Sequence, residues 1–416
     1  MDVIVLGLML LSLTIWLGLV CFWGQFWRTD QQLEVTETQL ESLPVVCAVV
    51  PARNEAELIP TSLRSLLLQD YPGSFNVFLV DDRSTDRTAN FAEGVAHAVG
   101  KPQQLHIISG VSLPPGWSGK LWAVEQGIKS ASKFAPDYFL LTDADIEHDP
   151  GNLRRLVAKA VQEDLDMVSV MVRLRCESFW EKLLIPAFVF FFQKLYPFRW
   201  VNNPNNATAA AAGGSILIAR EALERIGGIQ VIRQALIDDC ALAQAVKRGT
   251  GDWGLGTREE FSQSPVPNTQ YPIPIKGRIW LGLSSLTRSL RPYDSLATIW
   301  DMVARTAYTQ LNYSPLLLLG TLVGMPLIYL APPICVILGA VWSNWAIALT
   351  GLLGWLLMTF AYYPTIRFYK CSPWLAFSLP AIAFLYTLMT LDSALCHWQG
   401  RGGAWKGRVY SKPDNL

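Results

Sequence analysis

Leu140-Leu141-Thr142-Asp143-Ala144-Asp145-Ile146, LLTDADI, sets two acids, one residue apart, directly after an apolar run. If the run is a buried strand, Asp143 and Asp145 sit where it emerges, with side chains on one face. Two carboxylates converging there repel each other unless something positive lies between them. A divalent cation meets that need, and oxygen-only ligation suits Mg2+ or Mn2+. A solvated turn carrying two acids accounts for the same residues, so the rest of the chain has to decide.

Working outward, strands alternate with helices. PVVCAVVP (44–51) is a short β-branched run and reads as a strand; ARNEAELIPTSLRSLLLQDYP follows with helical spacing up to Tyr71-Pro72. NVFLVDD (76–82) is a second strand, Thr85 to about Val99 a helix, and QLHIISG (104–110) a third strand. PPGWSGK precedes a helix over 120–133, and DYFLLTDAD (137–145) is the fourth strand. This alternation predicts a parallel α/β sheet with ligands bound beyond the carboxyl ends of its strands. Arg53-Asn54-Glu55, Asp81-Asp82 and Asp143-Ala144-Asp145 all fall at such ends.

The clusters suggest chemistry with different force. In VDDRSTD (80–86), Ser84 or Thr85 can cap the next helix, which leaves Asp81 and Asp82 unexplained. Carboxylates there can accept hydrogen bonds from a nucleobase or ribose. No GxGxxG follows the first strand, and GxxxxGK[ST] is absent from the sequence. Lys120 begins a helix, where its charge opposes the dipole, so a phosphate-facing role explains its position better than chance does. Gly213-Gly214-Ser215 allows either close ligand approach or a tight turn. Asp238 and Asp239 are either an acidic helix cap or a general base aimed from a helix start.

The composition is divided along the chain. Of 416 residues, 51% are hydrophobic and 16% charged, with zero net charge, which argues against a nucleic-acid partner. Residues 3–23 carry no charge and are long enough to span a bilayer; without a basic leader they read as an uncleaved anchor over 1–27. A second apolar block, 314–396, holds several candidate spans, followed by a basic, aromatic tail over 397–416. Three full C-terminal crossings cannot put Arg367, Lys370, the tail basics and the globular part on one side, so a Pro-containing segment is expected to be re-entrant or split. The seven cysteines show no paired spacing, which favours reduced thiols and a cytosolic domain.

With VVPARNEAE, VDDRSTD, GKLWAVEQG, TDAD, AGGSILIAR and DDCALAQAVKRG in this order, residues 44–310 resemble the inverting glycosyltransferases of family 2, of GT-A fold. The flanking apolar segments match the membrane-bound branch, and the sequence most resembles the hopene-associated glycosyltransferases, with similarity to ceramide and carotenoid-acid glycosyltransferases. The resemblance implies a mostly parallel, Rossmann-like α/β domain between an N-terminal anchor and a C-terminal multi-span region. It implies that Asp81 and Asp82, helped by Arg53 and Glu55, hold the uracil and ribose of a UDP-sugar. Asp143 and Asp145 would be the DxD motif, Asp145 the main ligand of Mg2+ or Mn2+. Asp239 would be the base, with Asp238 where the family usually has Glu. The QxxRW motif of many membrane relatives is missing; Arg305 is the favoured replacement and Arg278 the other candidate.

FWEKLLIPAFVFFFQKLYPFRW (179–200) is apolar with basic flanks and reads as an interfacial, lipid-contacting helix, with core packing as its rival. The expectation is therefore an integral membrane enzyme of bacterial inner-membrane type, its catalytic domain cytosolic. It would transfer one sugar, glucose or a close relative, from a nucleotide-sugar donor to a lipid or isoprenoid acceptor. A processive polysaccharide synthase and a non-catalytic sugar-nucleotide-binding scaffold are the alternatives.

Overall fold

The computed structural model describes residues 2–35, 40, 42–249, 276–401, 404–405 and 408–409. Its centre is a sheet ordered β3-β2-β1-β4-β7-β6-β8-β5. The strands β1 (Val46–Ala52), β2 (Phe75–Asp81), β3 (Leu105–Ser109) and β4 (Tyr138–Thr142) are mutually parallel. They are linked by α2 (Ile59–Leu67), α3 (Thr88–Ala98) and α4 (Gly119–Ala131). β7 (Ser215–Ala219) lies antiparallel between β4 and β6 (Met167–Arg173), so the sheet is mixed beyond its parallel half. β8 (Ile279–Ser289) runs parallel to β6, and the short β5 (Ile146–Glu147) pairs antiparallel with its end.

Both faces of the sheet are covered, as the continuous apolar runs require. Along β1, Val46, Ala48 and Val50 face α2, α3 and Leu153, Leu156 and Val157 of α5 (Asn152–Gln162). Cys47 and Val49 face Leu121 and Val124 of α4, and Leu242 and Val246 of α9 (Asp238–Arg248). The helices α7 (Phe198–Val201) and α8 (Arg220–Arg225) are short connectors.

The flanking helices are long and apolar enough to cross a membrane: Asp2–Phe22 (α1), Pro315–Val341, Trp345–Phe368 (α14) and Pro373–Trp398. Within the second, α12 (Pro315–Met325) and α13 (Ala331–Val341) join through a widened, π-helical turn, Pro326–Leu330. Pro332 has no N–H to offer Ile328 four residues earlier, and Trp16 Nε1 of α1 donates to that carbonyl at 2.8 Å.

The last segment does not run to the far end of the bundle. At its start, Arg173 Nη2 of the sheet domain donates to Tyr369 O at 3.0 Å. It descends along α14 as a 3-10 turn (Pro373–Ser378), where Trp355 Nε1 donates to Phe377 O. It then returns as α15 (Leu379–Trp398), past α10 (Leu296–Ala304) and α11 (Ala307–Gln310). There Trp300 Nε1 donates to Asp392 Oδ2 at 2.8 Å, and Tyr308 N–H to Ser393 Oγ at 3.0 Å. Both ends therefore lie on the sheet-domain side, whereas Asn344, at the α13–α14 turn, meets Asp2 at the opposite end. The tail beyond residue 401 falls mostly outside the described residues.

α6 (Phe179–Leu195) differs from a helix lying freely in a lipid interface. Ile185 and Val189 pack into the sheet core, while Leu184, Ala187 and Phe190 pack into the apolar bundle. Phe179 and Leu195, near its two ends, remain exposed. This helix is the seam between the two halves of the molecule.

Candidate active site

The loops after β1 and β2 form one stitched unit. Asn54 adopts left-handed backbone (φ 52°), which Asn tolerates, and its Oδ1 accepts the Thr85 N–H at 2.8 Å. The N–H groups of Asn54, Glu55 and Ala56 donate to Ser84 Oγ, Thr88 Oγ1 and Asp86 Oδ2 at 2.9–3.0 Å. Ser84 and Thr85 thus serve the neighbouring loop rather than a helix cap, and α3 begins only at Thr88. Asp81 Oδ1 accepts the Ser84 N–H at 2.9 Å, and buried Asp82 pairs with Arg53 at 3.9 Å. Arg53 Nη1 also donates to Asp82 O at 2.6 Å.

β4 stops at Thr142, so Asp143 and Asp145 occupy a turn rather than the strand's last residues. The positive charge that Asp143 requires comes from Lys120, whose Nζ lies 2.9 Å from Asp143 Oδ1 and 3.1 Å from Asp238 Oδ2. Ser118 caps α4 by accepting the Leu121 N–H, which fixes the lysine's approach. Burial works to lower the Lys120 pKa, but Asp143 and Asp238 outweigh it and hold the ammonium well above its ordinary value. Asp143 keeps 34% of its side-chain surface open yet sits on the floor of a recess; desolvation there raises its pKa against the pull of Lys120. The expected phosphate-facing lysine is thus, in this structure, a bridge between two acids.

Asp239 enters the same recess from the start of α9. Its Oδ2 accepts the Gly213 N–H at 2.9 Å and its Oδ1 the Cys240 N–H at 2.7 Å. A methyl group at Gly213 would stand 3.5 Å from both Asp239 Oδ2 and Lys120 Nζ. Burial and the neighbouring Asp238 charge push the Asp239 pKa up to about 6, with Lys120 opposing. At Gly214 a Cβ would lie 2.9 Å from Val172 Cγ2, so packing demands that glycine. Buried Lys247 ties α9 to this region, donating to Val201 O and Thr208 O at 2.6 and 2.7 Å.

Several positions were not signalled by sequence reasoning. Thr142 Oγ1 donates to Gly214 O at 2.7 Å and lies 3.0 Å from His148 Nε2, whose other nitrogen meets Asn152 Nδ2 at 3.0 Å. With the threonine hydrogen committed to Gly214, the histidine donates from Nε2 and accepts at Nδ1. This buried chain joins the acidic turn to the glycine pair. Arg291 is the other omission: its Nε donates to Asp145 Oδ2 and its Nη2 to Glu55 Oε1, both at 2.7 Å. The available signal was a basic residue just past the carboxyl end of the apolar strand IWLGLSSL.

The two arginines considered for the missing motif part company. Arg278 sits at the beginning of β8, on the opposite rim, with Nη1 on Asp164 Oδ2. Arg305 ends α10, exposed, with its charge felt by the Tyr293 hydroxyl, which also feels Arg291 and Asp145. Tyr196, raised in pKa chiefly by burial, donates to Gln310 Oε1 of α11 at 2.6 Å.

A mixed sheet whose parallel half ends in an acid-lined recess, flanked by apolar helices, defines a GT-A-like architecture. The mannosyltransferase PcManGT from Pyrobaculum calidifontis, solved in complex with GDP-Man and Mn2+, superposes with a TM-score of 0.53 at 16% identity, over 95% of this chain and 99% of that one. Residues 47–227 match Glycosyl transferase family 2. It is 31% identical over 151 residues to the undecaprenyl-phosphate 4-deoxy-4-formamido-L-arabinose transferase of Enterobacter sp., covering 35% of this chain and 42% of that one. It is 26% identical over 221 residues to the beta-monoglucosyldiacylglycerol synthase of Synechocystis sp., covering 51% and 42%. The chain thus spans less than half the length of either relative.

Proposed function

We propose that this protein transfers one hexose, with inversion, from a nucleotide-sugar to a lipid acceptor presented at the membrane. The observation that carries this reading is the meeting of Asp143, Lys120, Asp238 and Asp239 in one recess at the carboxyl end of β4. In this reading Asp239 is the general base, and its raised pKa suits proton removal near neutral pH. The acceptor hydroxyl attacks the anomeric carbon in line, its proton passes to Asp239, and the nucleoside diphosphate leaves. Lys120 lies between Asp238 and Asp143 and offsets their mutual repulsion, and Arg53 with Asp82 and Asp81 shape the nucleoside end.

The acidic turn fits Mg2+ or Mn2+. Asp143 and Asp145 offer only oxygen donors, with one oxygen of each held by Lys120 and Arg291. Among the described residues no group of three or more His, Cys, Asp or Glu side chains could hold an ion, so diphosphate oxygens would complete the shell. When bound, the cation would neutralise charge on the departing diphosphate.

A lipid acceptor suits the seam helix α6, which packs on both the sheet core and the apolar bundle. The two relatives, an undecaprenyl-phosphate sugar transferase and a synthase of a glucosyldiacylglycerol, support the same class. The sheet-domain end of the bundle carries Arg28, Arg367 and Lys370, whereas the far turn, Trp342–Asn344, has no charge; this favours a cytosolic catalytic domain in a bacterial-type inner membrane. The test is mass spectrometry of membrane lipids after incubation with labelled nucleotide-sugars. A lipid gaining one hexose is expected; a ladder of longer products would make the protein a polysaccharide synthase. Binding without any transfer would make it a scaffold.

A further inference from the structure

Asp145 and Glu55 share a cation supplied by a distant part of the chain. Arg291 reaches both at 2.7 Å, and their side chains are only 10% and 8% exposed. The segment that carries it is fixed at each end. On one side Leu290 N–H donates to Asp145 O at 2.8 Å, just after Ser289 pairs with Ile146. On the other, Tyr293 N–H donates to Glu181 Oε1 at 2.8 Å, and Arg175 ties Glu181 to Asp294. Glu181 belongs to the first turn of α6, the seam with the apolar bundle. The backbone is anchored, so exchange of partners falls to the long, flexible side chain, which is 31% exposed.

A guanidinium fork fits carboxylate and phosphate alike. Resting on the donor-site reading above, we propose that Arg291 serves two anions in turn, competing with a divalent cation for Asp145 and taking the donor diphosphate as its alternative partner. Arg291 then opposes binding of the cation alone and favours binding of cation and nucleotide together. The two ligands become cooperative through one side chain, and the coupling is reciprocal.

The test measures Mn2+ binding to the full-length protein in nanodiscs by electron paramagnetic resonance, with and without UDP or GDP. In the unsubstituted protein, one of the two nucleotides should tighten Mn2+ binding about tenfold or more, within the usual range of coupling. Arg291→Gln should bind Mn2+ alone about tenfold more tightly and lose most of the nucleotide's effect, because a buried acid has lost its fixed counter-charge. Unchanged or weaker binding of Mn2+ alone, or full retention of the nucleotide effect, overturns the proposal. Arg291→Lys keeps the charge without the fork and carries the test if the glutamine variant does not fold. It should retain the competition and lose the coupling, and retained coupling overturns the idea. Asp145→Asn serves as the separate control: if it binds Mn2+ like the unsubstituted protein, the donor-site reading fails, whatever Arg291 does.

Discussion

Two pairs of carboxylates are each bridged by one cation, and the two cations hang from different kinds of scaffold. Asp143 and Asp238 meet Lys120, which projects from the capped start of a helix packed on β1 and β4. Asp145 and Glu55 meet Arg291, which hangs from the connection between the last strand and the helices next to the bundle. The first bridge belongs to the rigid core and sits beside Asp239. The second belongs to a segment tied to the membrane-facing seam through Glu181. The contrast suggests a division of labour: the lysine fixes the electrostatics of proton transfer, and the arginine answers to the donor.

That division can be broken by substitution. The largest effect is expected for Asp239→Asn, where kcat should fall about 1,000-fold with nucleotide-sugar binding retained, the usual scale for losing a general base. Turnover within tenfold of the original would remove Asp239 from that role. Lys120→Met should lower kcat about 100-fold and stability by about 1 kcal/mol, since it leaves two half-buried acids facing each other. Thermal unfolding and steady-state kinetics on one preparation would separate the two losses.

The pH dependence sharpens the comparison further. Because the Asp239 pKa is raised to about 6, the carboxyl is protonated below that value and ionised above it. The rate, kcat/KM, should therefore climb as pH rises through about 6. Asp238→Asn removes the like charge that helps raise this pKa, so the limb should move to lower pH. A limb that stays in place would mean that another group titrates. The smallest effect is expected for Thr142→Val, which cuts the bond to Gly214 O and the contact with His148. A net loss of about 1 kcal/mol, or roughly fivefold in kcat, is the scale of one such bond. No change in rate would show that the chain from Asn152 to Gly214 is architectural only.

Much of the molecule could be read from local pattern. The strands of the parallel half are apolar runs covered on both faces, and the amphipathic helices between them repeat every three to four residues. The acids at the strand ends were visible because they interrupt those runs. Local reading failed where a local signal had two outlets. Ser84 and Thr85 look like caps, but the β1 loop lies close enough to take their hydrogen bonds. α6 looks like a surface-lying helix, yet both faces are covered because the sheet lies on one side and the bundle on the other. Nothing in the five residues Ser215–Ala219 states that β7 runs antiparallel between β4 and β6.

By itself, the sequence determined the alternation of strands and helices, the apolar flanking segments and the presence of acids at the strand ends. These follow from side-chain periodicity and hydrophobicity, which act over a few residues. Only the tertiary structure decided which cation neutralises which acid, that Asp143 and Asp238 share Lys120, and that Asp145 answers to Arg291. It also decided that the last apolar segment turns back toward the sheet domain. Charge pairing and helix packing depend on distance in space, and the groups concerned are brought together only when the whole chain has closed around them.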